Sequence, residues 1–131
     1  MGGNSSTQGQ GLGSRVLVVD DDPDILDALS EILEVEGYQV DRARNGREAL
    51  QRLEQAAPDL VLLDLMMPVM DGWEFARSLG PEARPPIIVL SADRNVSAKA
   101  REIGALGWLA KPFELSELLA AVRRAVPPGT P

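Results

Sequence analysis

The sequence predicts a parallel α/β fold in which five strands alternate with five helices that cover both faces of the sheet. Three observations predict it. From Arg15 onward, apolar runs alternate with segments of helical period. Two of the runs, Val16-Leu17-Val18-Val19 and Ile87-Ile88-Val89-Leu90, are apolar throughout, as central parallel strands require. Acids, a serine and a lysine follow the ends of these runs, where an open α/β sheet binds its ligands.

The first run, 16–19, leads into Asp20-Asp21-Asp22. Asp22 suits a helix N-cap and Pro23 the first helical position. Ile25, Leu26, Leu29, Ile32 and Leu33 then fall on one face, and Gly37 closes the helix. A weaker run at 38–43 is the second strand. The second helix spans about 46–55, with Ala49, Leu50 and Leu53 inward. The third strand, 60–63, delivers Asp64, after which Pro68 and Asp71-Gly72 break the chain. A third helix after Gly72 carries Trp73, Ala76 and Leu79. The fourth strand, 87–90, ends at Ser91, and its helix, about 95–103, holds Val96, Ala100 and Ile103. A short run at 107–110 precedes Lys111-Pro112. The fifth helix puts Leu115, Leu118, Leu119, Val122 and Val126 on one stripe, and Pro127-Pro128-Gly129 ends the domain.

The domain therefore covers 15–126. Residues 1–14 are uncharged and rich in Gly, Ser and Gln, and read as a flexible tail, native or vector-derived; 127–131 reads as a tail or linker stub. Met1-Gly2 with Ser6 fits a myristoylation pattern, but no polybasic patch supplies the second anchoring signal. Gly9, Gly11 and Gly13 imitate a phosphate loop without a strand before them.

Composition narrows the chemistry. The 131 residues are 44% hydrophobic and 25% charged, as in one globular domain. A net charge of −7 opposes nucleic-acid binding, which needs a basic face. No cysteine means no disulfide or thiol chemistry, and no histidine means no imidazole base or ligand. Any metal must be held by oxygen, which favours a hard cation such as Mg2+. No apolar run approaches the ~20 residues of a membrane span, and no secretory signal is visible. A cytoplasmic protein is expected.

Asp20, Asp21 and Asp64 would gather negative charge at one sheet edge. Two such charges ~4 Å apart repel by about 4 kcal/mol at an effective dielectric near 20. A divalent cation removes that cost, so an oxygen-lined Mg2+ site is expected. Lys111 adds a cation and Ser91 a hydroxyl. This set suits a phosphoryl group, with a neighbouring carboxylate able to form an aspartyl phosphate.

At this point the motifs VLVVDDD, LLDLMMPVMDG, VLSA and LAKPF, in this order and spacing, match a known family. The chain resembles the receiver domain of two-component response regulators over residues 15–126. The resemblance implies a flavodoxin-like doubly wound sheet of strand order 2-1-3-4-5. It implies Asp64 as the phosphoacceptor and Mg2+ held by Asp20, Asp21, Asp64 and the Met66 carbonyl, with Asp20 acting mainly through water. Ser91 and Lys111 would contact the phosphoryl oxygens, and the Lys111–Pro112 bond would be cis. Trp108 stands at the aromatic switch position, where Tyr or Phe is more usual. The implied partner is a histidine kinase or phosphotransfer protein. Phosphorylation would move Ser91 and Trp108 and alter the face of the fourth helix, fifth strand and fifth helix, which an output domain or downstream protein reads. The chain would then be no enzyme beyond its own phosphoryl transfer and autodephosphorylation.

Plainer readings stand beside these. Asp22 is a helix cap, Asp71-Gly72 a turn, and Trp73, Phe75 and Phe113 are packing residues. Glu31, Glu34 and Glu36, like Lys99, Arg101 and Glu102, are solvated helix faces. Two other functions compete: a pseudo-receiver that binds partners without phosphorylation, and a phosphatase of the haloacid dehalogenase type. The second rests on Asp20-x-Asp22, which Pro23-Asp24 follows, in a chain with no room for a cap.

Overall fold

The computed structural model describes residues 13–80 and 84–129. Strands and helices alternate as β1 (Arg15–Val19), α1 (Pro23–Val35), β2 (Gln39–Ala43), α2 (Gly46–Gln55) and β3 (Leu60–Asp64), continuing with α3 (Gly72–Ser78), β4 (Ile87–Ser91), α4 (Val96–Ile103), β5 (Gly107–Ala110) and α5 (Leu115–Ala125). The five strands form one parallel sheet in the order β2-β1-β3-β4-β5. This is the flavodoxin-like topology that the resemblance implied.

Alternation of side chains across the strands divides the core in two. Leu17, Val19, Val61, Leu63 and Val89 pack under α2, α3 and α4, meeting Ala49, Phe75 and Ala100. Val16, Val18, Leu60, Leu62 and Leu90 pack under α1 and α5, meeting Leu29, Leu33, Leu118 and Val122. Strands β3 and β4 are buried along their whole length, and β1 from Val16 onward. The edge strands β2 and β5 are half-exposed, which explains their weaker apolar signal. Register aligns the strand ends: Val19 lies level with Ala43 and Leu63, Asp64 with Leu90, and Ser91 with Ala110.

Local sequence sets the helix ends. Asp22 caps α1 by accepting from the Asp24 and Ile25 N–H groups, and Pro23 opens the helix. Beyond it Gly37 takes φ +99°, a left-handed conformation that a side chain would strain. Asp71 and Glu74 form a reciprocal capping box at α3.

Four sequence expectations change in detail. Tyr38 is not in β2; it is buried, and its hydroxyl donates to the Val126 carbonyl at 3.0 Å. Phe75, rather than Trp73, is the fully buried aromatic of α3. Leu115 is exposed at the start of α5. Lys99 and Glu36 are not simply solvated, because they pair with Asp93 and Arg123.

The described ends of the flanks are hydrogen-bonded to each other and to the α1–β2 turn. Ser14 N–H donates to the Pro127 carbonyl at 3.2 Å, and Gly129 N–H to the Gly37 carbonyl at 3.0 Å. Gln39 holds the other side through its N–H on Ser14 and its side-chain amide on the Gly13 carbonyl. Met1, Gly2, Ser6, Gly9 and Gly11, which carried the myristoylation and phosphate-loop patterns, lie outside the described residues. Among the described residues, no helix is long and apolar enough to cross a membrane.

Candidate functional site

Strand β1 hands the chain directly to Asp20, whose N–H extends the ladder to the Ala43 carbonyl at 3.1 Å. The Asp20 side chain is fully buried. Its Oδ1 accepts from the Asp22 N–H at 3.0 Å, and its Oδ2 from Lys111 Nζ at 2.8 Å. Asp64 closes β3 and is 4% exposed. Its Oδ1 accepts from the Met66 N–H at 3.2 Å, and its Oδ2 lies 3.7 Å from Lys111 Nζ. Asp21 is exposed beside them. Asp20, Asp21 and Asp64 each offer an oxygen, and these lie within 4.8 Å of one another. The three acids that the sequence grouped therefore meet at one point, with the lysine among them.

Ser91 ends β4 and is buried. Its Oγ accepts from the Asp93 N–H at 3.1 Å, and its carbonyl accepts from the Lys111 N–H at 2.8 Å. The second bond carries the β4–β5 register one step past the strand and fixes where Lys111 leaves it. The Lys111–Pro112 peptide is cis, as the resemblance implied.

Burial, more than any neighbour, pushes the Asp64 carboxyl up to about 6, and the Asp20 carboxylate adds to it. Lys111 and the Met66 N–H pull the other way without cancelling the rise. Burial alone would depress the Lys111 ammonium. Its hydrogen bond to Asp20 and the surrounding carboxylates outweigh that and hold it above the ordinary lysine value. Lys111 is thus firmly charged, while one cation faces three acids. The deficit of positive charge, on an all-oxygen donor set with two buried members, is what a hard divalent ion relieves.

The loop after Asp64 is tightly built. Val69 adopts φ +68°, rare for a β-branched residue, in a three-residue turn closed by the Met70 N–H on the Pro68 carbonyl at 2.7 Å. Such a conformation costs on the order of 1–3 kcal/mol and persists only where surrounding contacts impose it. At the end of the loop Gly72 lies against the strand end, its N–H donating to the Leu65 carbonyl at 3.1 Å. A Cβ there would sit 2.7 Å from the Asp64 carbonyl oxygen and 2.9 Å from the Leu65 Cα. The glycine is required by this close approach of backbone to the acid-bearing strand end. Gly72→Ala is expected to destabilise the fold by about 1–3 kcal/mol, measured by chemical denaturation, and to slow phosphoryl uptake from acetyl phosphate.

Trp108 is half-exposed on β5, level with Val89 and two positions before the pairing of Ala110 with Ser91. The Met66 side chain faces solvent. The Asp93–Lys99 ion pair, next to the Ser91 hydroxyl, was not legible in the sequence. It joins a turn residue to the first helical turns of α4 across a loop whose path no local pattern encodes.

Comparison with known proteins agrees with this geometry. Residues 16–123 match the response regulator receiver domain family. The chain is 43% identical over 120 residues to the response regulator MprA of Mycolicibacterium vanbaalenii, covering 89% of this chain and 52% of that protein. It spans about half the length of this relative and of similar ones. Among solved structures, the chemotaxis protein CheY4 of Vibrio cholerae superposes with TM-score 0.78 at 35% identity, covering 86% of this chain and 98% of that one. The response regulator TrrA of Thermotoga maritima, solved in complex with Mg2+ and BeF, gives TM-score 0.76 at 36% identity over 86% and 98% of the two chains.

Proposed function

This chain belongs to the response regulator receiver domain family, and we propose that Asp64 is the residue that accepts its phosphoryl group. One observation carries the assignment: Asp64 ends the central strand β3 with one oxygen 3.7 Å from the Lys111 ammonium, inside the three-acid cluster. Family membership implies a histidine kinase or phosphotransfer protein as donor.

The residues divide the work by position. An Asp64 oxygen attacks the phosphorus in line; the P–O bond forms as the bond to the donor nitrogen or oxygen breaks. Lys111 lies where it can neutralise a phosphoryl oxygen. Ser91, at the end of the adjacent strand, supplies a hydroxyl for another. Asp20 fixes the lysine through its 2.8 Å bond and is itself fixed by the Asp22 N–H. Asp20, Asp21 and Asp64, with the Met66 carbonyl, would hold Mg2+, which would compensate the charge of the acids and of the incoming phosphoryl group. The bound Mg2+ and BeF of TrrA support this reading.

Phosphorylation then draws Ser91 toward the new group and repositions Trp108 on the edge strand, altering the surface of α4, β5 and α5 for an output domain or downstream protein. The complete set of acid, lysine and hydroxyl favours this over a pseudo-receiver. Intact-mass measurement after incubation with acetyl phosphate and Mg2+ tests the assignment. One phosphoryl adduct is expected on the wild type and none on Asp64→Asn. An adduct that survives in Asp64→Asn, or that maps to Asp20, would remove it.

A further inference from the structure

The geometry points to a second recognition surface at the opposite edge of the sheet from β5: a groove between α1, β2 and α2 that binds an acidic protein segment with an apolar anchor. The groove encloses about 470 Å3. Arg42, Arg44 and Arg52 line it against a single glutamate, Glu48. Counting Asp27, which pairs with Arg42 at the margin, three guanidinium groups meet two carboxylates, which leaves a locally positive patch in a chain whose net charge is −7. Its floor is apolar, built from Pro23, Leu26 and Ala43.

The guanidinium groups are held loosely enough to be recruited. Arg42 pairs with Asp27, and Arg44 with Glu48 four residues on along the chain. All three arginines are exposed. Exposed pairs of this kind contribute little stability, so an incoming carboxylate can exchange for the resident one at small cost. Arg52 donates Nε–H to the Arg42 carbonyl at 2.9 Å and one outer nitrogen to Gln55 Oε1 at 3.5 Å, which steadies the rim and leaves its other outer nitrogen for a ligand. Arginine forks recognise carboxylates in pairs of parallel hydrogen bonds.

The occupant follows from charge and size. The lining includes no aromatic platform for stacking a base, and the acidic chain as a whole repels a polyanion. A short segment needs only local attraction, which the Debye length of ~8 Å at physiological salt permits. Two or three acidic side chains and one apolar side chain would match the arginines and the floor.

The groove is also connected to the phosphoacceptor loop. The Gly46 N–H, at the start of α2, donates to the Met70 carbonyl at 2.8 Å, and a Cβ on Gly46 would collide with Met70. Movement of the loop after Asp64 therefore bears on α2, which carries half of the rim.

Two labelled peptides of alternating residues, glutamate with leucine and lysine with leucine, test this by NMR titration of the full 131-residue chain. The acidic peptide is expected to shift amides of Arg42–Gln55 and Asp24–Leu26, and the basic one to leave them in place. The double variant Arg44→Glu, Arg52→Glu is expected to weaken binding at least about tenfold while still taking up phosphoryl from acetyl phosphate. Shifts scattered over the surface, equal binding of both peptides, or full binding by the double variant would overturn the proposal. So would tighter binding of a single-stranded oligonucleotide, or shifts that track self-association of the chain instead of added peptide.

Discussion

Asp64→Asn is expected to make the metal-free domain more stable at neutral pH while abolishing phosphoryl uptake. The carboxyl titrates near 6 in the folded protein, chiefly because burial disfavours its charge and secondarily because Asp20 lies beside it. The unfolded chain titrates near 3.9. Between those values the folded state binds more protons than the unfolded one, so this group's contribution to stability is greatest below the unfolded value and is lost as pH rises through about 6. At pH 7 the full penalty of an ionised buried acid is present. A rise from 3.8 to about 6 corresponds to about 3 kcal/mol, or roughly 10 °C in midpoint for a domain of this size. The amide keeps the shape and carries no charge, so it escapes that penalty. Thermal unfolding of the two proteins from pH 7.5 down to pH 4 checks this. The variant's advantage should be largest at neutral pH and shrink below about pH 6, and added Mg2+ should narrow it from the other direction by stabilising the wild type more. Equal midpoints for both proteins at pH 7.5 without metal would contradict the electrostatic account.

The same physics explains how much of this protein could be read from its sequence. The central strands announce themselves because burial on both faces leaves no polar position, as in Leu60-Val61-Leu62-Leu63. An acid directly after such a run, as Asp64 is, marks a strand end that faces a site. Asp22 with Pro23, and Gly37, mark helix ends through local backbone chemistry that needs no tertiary information. Tertiary choices are less legible. Periodicity put Trp73 on the inward stripe of α3 and read Phe75 only as a packing residue; both pack on the core, but Phe75 is the fully buried one, because a helix of seven residues defines its face poorly. Leu115 belongs to the α5 stripe by spacing, yet it stands at the first turn of the helix and is exposed. Lys99 looks like any exposed lysine until the turn after Ser91 brings Asp93 to it. The strain at Val69 leaves no sequence mark at all, since valine is the residue a left-handed position least favours. The candidate site residues were legible because each ends or directly follows a strand; their supporting contacts, made between loops, were not.

Lys111→Met is expected to have the opposite effect to Asp64→Asn, and a larger one. The methionine keeps the length of the stem but removes the only ammonium at the site. Asp20 is fully buried, and its Oδ2 would lose the 2.8 Å partner that compensates its charge. Removing one member of a buried pair typically costs 3–5 kcal/mol, because the remaining charge stays desolvated. Asp64 would lose its nearest cation as well, so its carboxyl would rise further above 6. Mg2+ should restore much of the loss, since it would then be the sole compensating cation among the three acids. Binding at about 100 times its dissociation constant adds about 2.7 kcal/mol by mass action alone. Denaturant unfolding with Mg2+ and with a chelator, on wild type and variant, separates the contributions. The increment from Mg2+ should be greater in Lys111→Met than in the wild type, and phosphoryl uptake should fall even at saturating metal because the lysine charge acts on the transferred group itself. An equal Mg2+ increment in both proteins, with less than about 1 kcal/mol lost on substitution, would mean that the lysine and the metal do not share one electrostatic site.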